Sequence, residues 1–149
     1  MEKDYAVLLG KAKNKLDKAF ALVVASVEGL AAYDMAIAYT PKELEPYDAL
    51  SDRFIRCVEA FVQYFKTHEY YHYAVASDTF RDGLNKMAKL GLITDVILWM
   101  KMRDVRNKIV HDYLPEQTKA MYDSIMNEFF SELSKTKKKI DGVDIESGA

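Results

Sequence analysis

Residues 5–30 read YAVLLGKAKNKLDKAFALVVASVEGL. Within them Tyr5, Leu9, Ala12, Leu16, Ala19, Val23, Val27 and Leu30 recur at steps of four and three, with Lys11, Lys13, Lys15 and Asp17 between them. Side chains three and four apart share a helical face, so this is the apolar stripe of one long amphipathic helix. Phe54, Val58, Phe61 and Phe65 repeat the pattern in a second helix. Between the two stripes, Thr40-Pro41-Lys42-Glu43 fits a capping box with proline at the first helical position. Pro46 is expected to interrupt the segment, so that a short helical turn precedes the second long helix.

The same periodicity carries through the rest of the chain. Tyr70 to Ala76 reads as a tyrosine-rich connection, and a third helix is expected from about Asp78 to Leu90. Gly91 is the natural left-handed residue to stop it, with Leu92 folding back on the preceding turn. Thr94 is the expected cap of a fourth helix, whose stripe is Leu98, Met102, Val105 and Ile109, and Trp99 reads as core. Pro115 opens a fifth helix with Tyr122, Ile125 and Phe129 inward and Leu133 nearby. From Ser134 the chain turns lysine-rich (Lys135, Lys137, Lys138, Lys139) and then Gly-Ser-Ala, which reads as a frayed tail. The expectation is an all-α protein: an up-down bundle of four long helices plus short helices, one domain over 1–133 and a tail over 134–149.

Composition bounds the function. The 149 residues are 50% apolar and 30% charged, enough for a single core. A net charge of −2 excludes a protein that coats nucleic acid through bulk positive charge, and no DNA partner is expected. The one cysteine, Cys57, permits no intramolecular disulfide and no Cys-rich zinc site, and its helical setting reads as a buried apolar residue. The longest uncharged apolar stretch, Ala19 to Val27, falls short of the ~20 residues that span a bilayer. The start, Met1-Glu2-Lys3-Asp4, lacks the pattern of a secretory signal, so a cytoplasmic location is expected.

Two strings compete for chemistry. His68-Glu69-Tyr70-Tyr71-His72 matches H-E-x-x-H, in which two histidines one turn apart hold zinc beside a glutamate base. The string lies where the second helix is expected to end, and neither a downstream histidine nor a glutamate supplies a third ligand: Val75 and Asp78 stand where a metzincin continuation needs Gly and His. The competing reading is a surface turn carrying two ordinary histidines, and no metal site is expected. The second string is Arg106-Asn107-Lys108-Ile109-Val110-His111-Asp112-Tyr113. On an ideal helix Arg106 and His111 point about 140° apart, so to act together they must meet in a groove between helices or subunits. A histidine near neutrality can take a proton from an RNA 2′-hydroxyl or return one to the leaving oxygen. An arginine fork can hold the phosphate between them. Such a pair could cleave RNA by 2′-hydroxyl attack on the adjacent phosphorus, and no metal or other cofactor is expected. Arg106 also reads as a surface salt-bridge residue with Asp104 or Asp112 as partner, and His111 as a cation at a helix C-terminus. Lys101, Arg103 and Lys108 read either as a solvated face or as a binding track beside the motif.

The RNxxxHxY string at the end of a helix resembles the HEPN domain, most closely the bacterial toxin members encoded beside a minimal nucleotidyltransferase. Phe80-Arg81, Leu90-Gly91-Leu92-Ile93 and Trp99 occur in the order found in the nucleotidyltransferase substrate-binding subgroup. The resemblance covers about residues 78–125. It implies a metal-independent endoribonuclease toxin of a type II toxin–antitoxin module, a homodimer whose two Arg/His motifs line one cleft, with Arg106 and His111 catalytic. It implies that Asn107 helps position the phosphate; Arg103 and Lys108, from the basic run beside the motif, are the further candidate substrate- or nucleotide-binding residues. It also implies that Tyr113 is a site of adenylylation by the nucleotidyltransferase antitoxin. Other members of the subgroup are non-catalytic nucleotide-binding partners of a nucleotidyltransferase, and that alternative stays open. The segment from Lys101 to His111 holds four basic residues and one acidic, a local positive site on an otherwise acidic chain.

Overall fold

The computed structural model describes residues 2–109 and 114–143. Helices α1 (Glu2–Gly29) and α2 (Pro41–Tyr73) form a long antiparallel hairpin. Tyr5 lies against Tyr70 at one end, Phe20 against Phe61 in the middle, and Tyr33 of the connecting loop against Tyr47 at the other end. The α1 stripe is the buried one: Leu9, Leu16 and Val23 are fully enclosed, and Ala19, Val27 and Leu30 pack at the margin. Each fully buried Leu or Val contributes roughly 1.5–3 kcal/mol, so this seam alone ties the hairpin together. The capping box forms as expected: Thr40 Oγ1 accepts from Glu43 N and Glu43 Oε1 accepts from Thr40 N.

Three further segments complete the bundle. Helix α3 (Phe80–Lys89) is short, and α4 (Val96–Ile109) runs antiparallel to α2, with Trp99 against Phe61 and Phe65. Helix α5 (Pro115–Ser124), a π-helical turn (Ile125–Phe129) and α6 (Phe130–Asp141) then run parallel to α2, matching Tyr122 to Tyr47 and Phe129 to Phe54. The order of long segments is up, down, up, down, and no strand occurs among the described residues. Gly91 ends α3 at φ +79°, and Gly91 N bonds Ala88 O while Leu92 N bonds Met87 O. That double closure is a Schellman stop, and it turns Leu92 into the core.

Several expectations are corrected. Pro46 does not interrupt α2; it lies near the start of the helix, where one missing N–H leaves the neighbouring hydrogen bonds and the Tyr47 anchor to Ala31 O in place. Helix α2 also continues to Tyr73, through most of the expected connection, before Ala74 caps it in the left-handed region. Thr94 does not cap α4. Asp95 does, accepting from Leu98 N at 3.2 Å, because the Thr94 hydroxyl is engaged elsewhere. The buried α4 residues are Trp99, Met102 and Val105, whereas Leu98 is half-buried and Ile109 exposed.

The frayed tail from Ser134 is corrected as well, and with it the boundary at 133. The residues to Asp141 form α6, in which Thr136, Lys137 and Ile140 are buried; 144–149 lie outside the described residues. The lysine run misleads because Lys137 turns inward. Its ammonium bonds Asp17 at 2.7 Å and Asp141 at 2.5 Å, and Lys13 completes a four-member network at 3.2 Å from Asp141. Burial works against the Lys137 charge, but these carboxylates more than offset it and hold the ammonium above the usual lysine range. Cys57 is enclosed as expected, and burial pushes its thiol up to about 12.

The engaged Thr94 leads to Glu132, an acid only 3% exposed in the core. Glu132 accepts from Trp99 Nε1 at 2.9 Å, Thr94 N at 3.0 Å and Thr94 Oγ1 at 2.6 Å. Truncating it orphans all three donors. The Glu132→Ala variant is expected to lose about 3–5 kcal/mol in urea unfolding, and Glu132→Gln, which keeps the shape and part of the bonding, about 1–2 kcal/mol. Equal stability of Glu132→Ala and wild type would show that the carboxylate does not join α6 to α4.

Candidate functional site

One exposed side of α4, flanking its buried stripe, borders a groove of about 1240 Å³. Helix α2 supplies much of one side through Ile55, Glu59, Val62 and Lys66, the start of α1 contributes Tyr5 and Leu8, the loop leading into α3 contributes Ser77 and Thr79, and α3 opens on Phe80. Helix α4 contributes Met100, Arg103, Asp104, Arg106 and Asn107. These positions are spaced by three and four, which gathers them on one side of the helix while Trp99, Met102 and Val105 enter the core.

Three of the sequence-predicted site residues therefore meet in one groove. Arg106 Nη1 donates to Glu59 Oε1 at 2.8 Å, across from α4 to α2. Both side chains are largely open, 70% and 56% exposed, so the pair is a weak tether of roughly 0–1 kcal/mol. Of the partners expected from the sequence, Asp104 instead accepts from Asn107 Nδ2 at 3.0 Å, and Asp112 lies outside the described residues. Arg103 has its guanidinium over the Phe80 ring, 4.2 Å from the centroid. Lys108 is exposed on α4 and is not among the groove residues, and Lys101 shares that outer position. His111 and Tyr113 lie outside the described residues.

The far wall of the groove is set by a buried acid that sequence reasoning assigned elsewhere. Glu69, 4% exposed, accepts from Ser77 N and, at 2.7 Å, from Ser77 Oγ, with Lys86 Nζ at 3.9 Å. This clamp folds the loop after α2 back onto the helix. It leaves Thr79 to cap α3, its Oγ1 accepting from Asp82 N at 3.0 Å, and so places Phe80 at the groove. The H-E-x-x-H string is consequently not a surface turn. His68 and His72 lie one turn apart within α2, their rings tilted to each other at a centroid distance of 4.2 Å, and His68 is enclosed. The acid between them is committed to Ser77 and Lys86 rather than to a water a metal could activate. Among the described residues no group of three or more His, Cys, Asp or Glu is arranged to hold a metal ion.

With this geometry in place, the comparison with known families is decisive at one level. The model of nucleotidyltransferase substrate binding protein-like sequences matches residues 11–141. The chain belongs to that family. The match spans α6 as well as α1, and so takes in the segment beyond 133 that the lysine run disguised. This family is HEPN-like, in keeping with the subgroup suggested by the Phe80 to Trp99 order. No curated protein matches the chain. No helix among the described residues is long and apolar enough to cross a membrane.

His68 gives this region a pH dependence. Burial first, and the neighbouring His72 second, push its imidazole down to about 4 from an ordinary 6.5. Between those values the unfolded chain binds a proton that the folded chain refuses, so stability is complete above about 6.5 and falls as the pH drops towards 4. The loss is on the order of 3 kcal/mol. Urea unfolding at pH 7 and pH 4.5 should show it in the wild type, and His68→Leu should flatten the slope. An unchanged slope in that variant would assign the effect to other groups.

Proposed function

We propose that this chain is the helical, nucleotide-binding partner of a nucleotidyltransferase, with Arg106 as the phosphate anchor of the groove and Asn107 and Arg103 beside it. The observation that carries the reading is that Arg103, Arg106 and Asn107 line one groove large enough for a nucleotide. Family membership supports the association with a nucleotidyltransferase. The chemistry is direct. Arg106 is held by a single exposed carboxylate, so an incoming phosphate can replace Glu59 at little energetic expense and form two parallel N–H···O bonds with the guanidinium. Asn107 offers a neutral donor one position further along α4.

A second reading, cleavage of RNA, is favoured by the run of Asn107, His111 and Tyr113 after an accessible Arg106. In it the chain is the ribonuclease toxin of a type II toxin–antitoxin pair and acts as a homodimer. His111 removes the proton of a 2′-hydroxyl, the 2′-oxygen attacks the adjacent phosphorus, and the bond to the 5′-oxygen breaks as that oxygen takes up a proton. The products are a 2′,3′-cyclic phosphate and a 5′-hydroxyl, with no metal in the balance. Arg106 holds the phosphate as charge builds on it. The nucleotidyltransferase antitoxin silences this chemistry by adenylylating Tyr113, adding bulk and negative charge beside the motif.

One set of variants tests both. Fluorescence anisotropy with a short labelled oligoadenylate should show Arg106→Ala weakening binding by about 10- to 100-fold, the loss of a charge-assisted contact. Glu59→Gln should tighten it several-fold by removing the competing carboxylate. If neither substitution changes binding, the groove is not the phosphate site. Incubation of the unmodified protein with RNA in EDTA then separates the readings. Cleavage lost in both Arg106→Ala and His111→Ala establishes the enzyme, and tight binding with intact RNA establishes the non-catalytic partner.

A further inference from the structure

The two groove arginines are held in different ways. Arg106 is paired with a carboxylate, whereas Arg103 has no carboxylate within ion-pair distance among the described residues and lies instead over the Phe80 ring at 4.2 Å. That separation is well inside the 6 Å range of cation–π contact. Arg103 is exposed and borders the groove, so its guanidinium keeps a free side. Phe80 is no loose surface ring. It packs against the core as the first residue of α3, directly after the Thr79 cap and three residues after the Ser77 clamp on Glu69. The ring therefore holds the guanidinium in place before any ligand arrives.

We propose that the Phe80–Arg103 stack is a base platform: the unstacked base of a single-stranded RNA or nucleotide lies on the guanidinium of Arg103 while its phosphate is held by Arg106. The inference rests on the nucleotide-binding reading above and names what that site recognises. Arg103 and Arg106 are three residues apart on one helix, with Cβ atoms roughly 5–6 Å apart, so both long side chains can reach the base and phosphate of one nucleotide. A planar, weakly hydrated guanidinium stacks on a π-face as well as it binds an anion, and an ammonium does not. Base stacking of this kind is tolerant of sequence and requires an open base face, which a duplex does not offer. The platform thus selects single strands without selecting sequence.

The test uses the full chain and two probes: a labelled oligoadenylate and the same ribose-phosphate strand carrying abasic sites. Wild type is expected to bind the abasic strand roughly 5- to 100-fold more weakly, the range for loss of a stacked base. Arg103→Lys, which keeps the charge, should lower affinity for oligoadenylate to the abasic level and leave the abasic strand unaffected. Phe80→Leu should act in the same direction by freeing the guanidinium, and Arg106→Ala should weaken both strands equally. Equal wild-type affinity for the two strands overturns the platform and leaves the phosphate site standing. So does an equal effect of Arg103→Lys on both. Failure of wild type to bind either strand overturns the nucleotide-binding reading and the platform with it. The wild-type comparison does not depend on the variants folding.

Discussion

A carboxylate in the core joins the two halves of this protein. Glu132 on α6 takes the indole N–H of Trp99, the backbone N–H of Thr94 and the Thr94 hydroxyl, and Trp99 in turn packs between Phe61 and Phe65 of α2. The start of α4 is therefore bonded to α6 and wedged against α2 at one point. Apolar packing alone is non-directional and tolerates rotation of a helix about its axis. Three directed hydrogen bonds to a single buried group do not. Once Trp99 is oriented, the helical repeat determines where Arg103, Arg106 and Asn107 point, and they point into the groove. The site is thus aimed from a position outside the groove itself.

Much of this bundle can be read from local sequence, because its local signals and its tertiary packing agree. The stripe from Leu9 to Leu30, the Thr40–Glu43 capping box and the Gly91 stop all appear in the fold as the residues suggest. Several of the misreadings concern a polar or breaking residue whose setting is fixed from a distance in sequence. Thr94 is an ordinary helix cap until Glu132 claims its hydroxyl from 38 residues away. Lys137 belongs to a solvated run until Asp17 draws it inward. Pro46 breaks a helix in general, but near the first turns it removes only one bond from a segment already anchored through Tyr47. A sequence window sees the residue and not the partner.

The candidate site divides along the same line. Arg106 and Asn107 were visible as a motif because their spacing is local. Glu59 was not, since it lies 47 residues before its partner and has no unusual neighbours of its own. Phe80 carried a signal only as part of the family order, and its contact with Arg103 emerges from the packing of α3 against α4. The H-E-x-x-H string shows the opposite error. Its spacing is right for a metal, yet Glu69 is a structural acid that closes the loop before α3, and His68 is neutral core. A motif states which residues are neighbours on a helix and says nothing about which side of that helix is buried.

The anionic ligand proposed above is compatible with an acidic chain. At physiological ionic strength charges further apart than about 8 Å are largely screened, so the net charge of −2 has little influence inside the groove. What matters there is the local exchange at Arg106. Its charge is offset by Glu59, and because both groups remain solvated the pairing is weak and reversible. Replacing one carboxylate by a phosphate conserves the ion pair and adds charge and acceptors, whereas burying an unpaired arginine would demand a large desolvation penalty in the free protein. On the proposed reading, Glu59 is a placeholder for the ligand phosphate. An isolated exposed salt bridge would ordinarily be dismissed as surface decoration, but beside a groove its weakness is what, on the proposed reading, lets a phosphate take the place of the carboxylate.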